Sequence, residues 1–168
     1  MRGPLGKVAL ALFIALAAGA ALGYDINGVS LGGSEAQIRK AFPSVRCKPL
    51  EWSSKAAERR CDDAKFAFGG VDARITFYLK KDAVQAFDVR FDTKDLDRVA
   101  AFVKGRYGKP FAEAKEKIER ADKPVREIYK VRWEAGRDYA LLVSQLEKNR
   151  STLTVARGNF EEEIYRVR

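Results

Sequence analysis

The chain contains no histidine among its 168 residues. That absence removes Ser–His and Cys–His nucleophiles together with the commonest metal ligand, so any catalysis would fall to carboxylate pairs, a Ser–Lys pair or a tyrosine. Cysteine is reduced to two residues, Cys47 and Cys61, which bracket CKPLEWSSKAAERRC. They lack the C-x-x-C spacing of a dithiol redox motif, which argues against that chemistry. A Pro-, Gly- or Ser-rich linker is missing too, and the chain reads as one domain behind its N-terminal segment.

That segment is MRGPLGKVALALFIALAAGAALGYDING, in which Arg2 and Lys7 precede an apolar run from Val8 to Leu22 that ends in small residues. About 15 apolar residues fall short of the roughly 20 that cross a bilayer. The run therefore reads as a secretory signal over residues 1–23, cleaved after Gly23 or after Ala21, with an uncleaved anchor as the alternative. Tyr24 stands where a lipoprotein would carry its acylated cysteine. Export would place residues 24–168 in an oxidising compartment, periplasmic or secreted, where Cys47 and Cys61 are expected to pair as a structural disulfide. Zinc on two thiolates would need carboxylates to complete its shell, so no metal site is expected. Without Arg2 and Lys7 the basic count falls from 32 to 30 against 23 acidic residues, a net charge of +7.

Hydrophobic spacing gives the organisation of the mature part. Ser34 and Gln37 fit a capping box ahead of a short helix over 35–42, which Pro43 stops. From Ala64 to Phe91 the period is two, interrupted at Gly69-Gly70 and at Lys80 to Asp82, which predicts three antiparallel strands. Helical spacing returns over 92–110, where Leu96, Val99, Phe102, Val103 and Tyr107 form a stripe closed by Gly108 and Pro110. Residues 112–122 read as strand or loop. Val125, Tyr129, Val131 and Trp133 then alternate toward the core, Tyr139 to Leu146 is strongly apolar, and Leu153 and Val155 continue in strand phase; the tail NFEEEIYRVR is unassigned. This order predicts an α+β protein: an antiparallel sheet with two helices packed on one face, arranged as two loosely similar helix-then-strands units.

Gly28-Val29-x-Leu31-Gly32-x-Ser34, followed by a short helix ending at Phe42-Pro43, resembles the repeat opening of the beta-lactamase-inhibitory-protein-like fold and is similar to one in small outer-membrane assembly lipoproteins. The helix closed by Tyr107-Gly108-Lys109-Pro110, with later strands bearing Trp133, is similar to a second such unit. The resemblance covers most of the mature chain in order of elements and implies a non-enzymatic envelope or secreted protein that works through a sheet surface. The lipoproteins' anchoring cysteine is missing here.

Catalytic patterns are weak. Asp62 and Asp63 on a strand would point to opposite faces, Ser53-Ser54-Lys55 lacks the S-x-x-K spacing, and Asp25-Ile26-Asn27-Gly28 places its glycine too early for a calcium loop. Gly105 to Lys109 ends a helix instead of opening one, and Asn149-Arg150-Ser151 is a glycosylation sequon that a hairpin turn explains equally well. The clearest positive pattern lies in VREIYKVRW: with the apolar alternates inward, Arg126, Lys130 and Arg132 line the outer face beside Ile128, joined by Thr152 and Thr154. A second basic cluster, Arg39, Lys40, Arg46, Lys48, Lys55, Arg59 and Arg60, surrounds the cysteine loop. The expected function is a non-catalytic binding module without cofactor, contacting an envelope protein or an anionic envelope component through the basic sheet face (Arg126, Lys130, Arg132) and the disulfide loop (Arg59, Arg60). Export argues against nucleic acid. An inhibitor of a secreted hydrolase is the alternative; a carboxylate or Ser–Lys enzyme is the third reading, which two carboxylates facing each other across a cleft would promote.

Overall fold

The computed structural model describes residues 23–165, so all of the expected leader except Gly23 lies outside the described residues. The elements run β1 (Asp25–Ile26), β2 (Val29–Ser30), α1 (Glu35–Ala41), β3 (Arg46–Pro49), β4 (Arg59–Phe68), β5 (Val71–Lys80), β6 (Ala83–Phe91), α2 (Leu96–Tyr107), β7 (Ala112–Arg120), β8 (Lys123–Ala135), β9 (Asp138–Gln145), β10 (Ser151–Arg157) and α3 (Phe160–Glu163). β3 to β10 form one eight-stranded antiparallel sheet in the order β3-β4-β5-β6-β10-β9-β8-β7, and β1 pairs with β2 in a separate small sheet. The expectation of an α+β protein with two helices packed on one face is thereby corrected. Among the described residues strands make up 52% and helices 18%, and only α2, with 12 residues, is a sizeable helix. The helical signal at 35–42 was sound but short: α1 has seven residues, and the polar 112–122 stretch adds a full strand where its residues alone left strand or loop open.

Local chemistry accounts for the punctuation. Ser34 accepts from the Gln37 amide while Gln37 reaches back to the Ser34 amide, so α1 starts on a complete capping box. Gly69 and Gly70 take φ of 59° and 79° to turn β4 into β5. At Gly69 a Cβ would also stand 2.9 Å from the Phe102 ring, so the turn lets α2 approach closely.

One sheet face is covered. Phe42, which caps the end of α1, meets Phe66 and Phe77 edge-on at 5.4 and 5.2 Å, and Phe68 meets Phe102 of α2 at 5.1 Å. Val99 and Val103 are fully buried against the same layer, which Ile75, Phe87, Leu142, Leu153 and Val155 supply from the strands. Trp133 joins it by donating its indole N–H to the Gly108 carbonyl at 2.9 Å. The β7–β8 hairpin leaves this layer toward its tip. Val125, expected in the core, is 47% exposed, because β9 pairs with β8 only from Ile128 onward.

Among the described residues, the opposite face is uncovered except at one end. There the 50–58 segment and α3 form a second, smaller cluster of Ala56, Ala57, Tyr78, Tyr139, Phe160 and Ile164. The unassigned tail thus supplies an amphipathic turn whose Phe160 and Ile164, four residues apart, both face the sheet.

Candidate functional site

Cys47 and Cys61 lie directly opposite each other on β3 and β4 and are joined by a disulfide. The Glu35 carboxylate lies with the two sulfurs inside 4.8 Å, but sulfurs bonded to each other present no thiolate to an ion. The loop they close is anchored, not free. Trp52 donates its indole N–H to the Ile164 carbonyl at 3.0 Å and stacks on Tyr165, and the Leu50 amide donates to Glu58.

The basic residues expected to form a contact surface around this loop are largely neutralised. Arg59 and Arg39 share Glu35, and Arg60 pairs with Asp62 in a two-pronged bond at 2.7 Å on both prongs. Those guanidiniums hold the Glu35 carboxyl below its usual range, Arg59 first and Arg39 second. For Asp62, burial pushes upward, and the bonds from Arg60 and Thr76 outweigh it, so the net direction is down. Asp63 lies on the covered side of β4, where it accepts from Ser44, so the two neighbouring acids face opposite ways. Ser54 is a structural hydroxyl that accepts from the Ala56 amide and donates to the Glu163 carbonyl.

Register fixes which residues share the open face. One row across the strands runs Arg46–Asp62–Thr76–Asp88–Thr154–Leu141–Arg132–Ala112, and the next runs Arg74–Arg90–Thr152–Val143–Lys130–Ala114. Lys130, Arg132, Thr152 and Thr154 therefore do meet on one side. Two of these cations are locally compensated, Lys130 by Glu116 at 3.4 Å and Arg132 by Glu134 at 2.6 Å with its guanidinium over the Tyr139 ring. Arg126 lies on the same side but out on the exposed hairpin tip, opposite Ile118.

A cluster of cations without ion pairs sits elsewhere on this face. Arg74 and Arg90 are directly opposite on β5 and β6, and neither makes an ion pair among the described residues. Together with Arg150 from the β9–β10 turn they line an open cleft of about 800 Å³, which also carries Lys65 and two acids, Asp72 and Asp92. An adjoining cleft of about 540 Å³ shares Asn149 and Arg150 and continues to Lys148, Val143 and Thr152. Sequence reasoning missed this pair because one extra residue decides it. The pairing shifts between Tyr78↔Ala86 and Leu79↔Val84, leaving Gln85 as a bulge; a regular hairpin would have set Arg74 against Val89.

A third feature lies under α3. A small cleft is lined by Tyr78, Asp88, Thr154, Glu161 and the apolar Phe160 and Ile164. Burial raises the Asp88 carboxyl even though Thr154 donates to it at 2.7 Å, Tyr78 is directed at it, and Arg90 of the same strand adds a favourable field. Glu161 keeps much of its surface in solvent, yet loss of solvent against the sheet and then the Asp88 charge move its carboxyl up as well, with Arg132 opposing. Tyr78, desolvated in the same place, is pushed up to about 12. Above the ordinary carboxyl range and below its raised folded value, Asp88 is protonated in the folded chain and ionised in the unfolded one, so stability falls as pH rises through that window. Asp88→Asn should flatten this slope and raise Tm at neutral pH relative to the wild type, as thermal unfolding across pH 4 to 8 will show; an unchanged pH profile would contradict the assignment.

No family model, curated protein or solved structure matches the chain. Among the described residues, no helix is long and apolar enough to cross a membrane.

Proposed function

We propose that this protein is a periplasmic or secreted, non-catalytic binding module that contacts an anionic envelope component through the open face of its sheet. The observation that carries the reading is the cluster of Arg74, Arg90 and Arg150 along one cleft, none of which closes an ion pair among the described residues, while Lys130 and Arg132 of the same face do. The leader-like start and the disulfide support export. The disulfide loop, with Arg59 and Arg60 committed to acids, serves this reading as a brace for the sheet edge.

Exposed charges act over about 8–10 Å at moderate ionic strength. Immobilised protein should therefore retain anionic envelope material at about 20 mM salt and release it by about 0.5 M, where screening is several-fold stronger. Retention that ignores salt, or its absence at low salt, would sink the reading. A second reading, an inhibitor of a secreted hydrolase, is favoured by the β7–β8 hairpin, whose residues 112–127 are almost all exposed and could enter a cleft. Stoichiometric capture of one hydrolase would select it. The Asp88–Glu161 cleft is the place where an enzymatic reading would be tested, by turnover on hydrolase substrates that Asp88→Asn abolishes.

A further inference from the structure

Two arginines facing each other across neighbouring strands are a liability in an empty site. Like charges at directly opposed sheet positions repel, since their Cβ atoms stand about 4.5–5.5 Å apart. Arg74 and Arg90 occupy such positions on the open face, and the carboxylates in reach of the cleft do not close ion pairs with them. Arg150 projects into the same cleft from the β9–β10 turn, so three guanidiniums border one recess. A guanidinium presents a planar fork of donors that matches tetrahedral phosphate oxygens bidentately, and a doubly or singly charged phosphate between two such forks turns their repulsion into attraction.

The row that contains Arg74 and Arg90 continues through the Thr152 hydroxyl to Lys130. Successive strands are spaced about 4.8 Å apart, so these groups offer polar contacts along roughly 19 Å of a line crossing the strands. We propose, resting on the binding-module reading above, that Arg74, Arg90 and Arg150 form a phosphate site and that its ligand is a linear chain of phosphate groups lying along this row. A chain fits better than a bilayer surface. The arginines line a recess instead of a protruding ridge, and among the described residues the exposed large apolar side chains that could insert into a membrane, Phe111, Val125 and Tyr165, lie outside the cleft lining.

Short-chain inorganic polyphosphate titrated calorimetrically into the purified protein tests this, with inorganic phosphate and phosphatidylglycerol vesicles as separate arms. Polyphosphate should bind, inorganic phosphate should bind at least tenfold more weakly, and Arg74→Gln/Arg90→Gln should lose at least tenfold in polyphosphate affinity. Without ligand the double variant should melt at or above the wild-type temperature, because the repulsion is gone. If it fails to fold, Arg150→Gln in the exposed turn carries the same expectation of weakened binding. Polyphosphate binding unchanged in these variants, or vesicle binding that needs Arg74 and Arg90 and that polyphosphate does not displace, would overturn the proposal. Wild-type protein that retains envelope material salt-dependently but ignores polyphosphate sinks this inference alone; wild-type protein that retains nothing sinks the reading beneath it.

Discussion

Trp133→Ala is expected to lower stability by about 3–5 kcal/mol, the range for truncating a large buried aromatic. Trp133 is 2% exposed on β8, where Val131 and Ala140 flank it and Tyr107 of α2 meets its ring edge-on at 5.8 Å. Its N–H bond to the Gly108 carbonyl fastens the end of α2 to the strand that carries Lys130 and Arg132. Truncation leaves a cavity between helix and sheet and frees that carbonyl. Trp133→Phe should lose far less, about 1 kcal/mol for the bond plus a small packing defect. Urea unfolding of the three proteins measures the difference, and a loss below about 1 kcal/mol for the alanine variant would mean that α2 does not hold β8 as described.

Opening the disulfide should have the next largest effect. Closing a loop of about 15 residues removes unfolded-state entropy worth about 3 kcal/mol on a chain-entropy estimate. β3 is only four residues long and pairs with β4 alone, so the bond substitutes for the ladder that a longer edge strand would have. Cys47→Ser/Cys61→Ser should therefore unfold at lower denaturant concentration, with faster amide exchange beginning at β3. The Trp52 bond to Ile164 should keep part of the loop in place. Thiol labelling of unreduced protein provides the direct check: two reactive thiols would refute the bridge.

Much of the local structure could be read from the residues because each signal acts over a few positions. Ser34 and Gln37 marked the start of α1, Gly69-Gly70 marked a hairpin, and the stripe of Leu96, Val99 and Val103 marked α2. The two cysteines, expected to pair if the leader-like start directs export, are joined by a disulfide. What stayed open or escaped was non-local. The polar AEAKEKIER stretch, which its residues alone leave between strand and loop, becomes strand β7 because β8 offers it a ladder, not because its own side chains are buried. That strand and the extension of β4 back to Arg59 turn an expected α+β protein into a mostly β one.

The candidate site failed to show for a related reason. A count of basic residues cannot tell which ones have partners. Arg59 and Arg60 looked available beside the cysteine loop, yet Glu35, 24 positions from Arg59 in the chain, and Asp62 take them up. Arg74 and Arg90 looked unrelated until the Gln85 bulge set them opposite each other. Phe160 and Ile164, in the unassigned tail, close one end of the open face and leave the arginine cleft as its accessible part.

Binding through the arginine cleft of the open sheet face, as proposed above, has a direct readout. Backbone amide NMR during polyphosphate addition reports on every strand at once. Shifts are expected to concentrate at Arg74, Arg90, Arg150 and Thr152 and to revert when salt is raised. Shifts confined to the 50–58 loop and Arg59–Arg60, or no shifts at all, would contradict it.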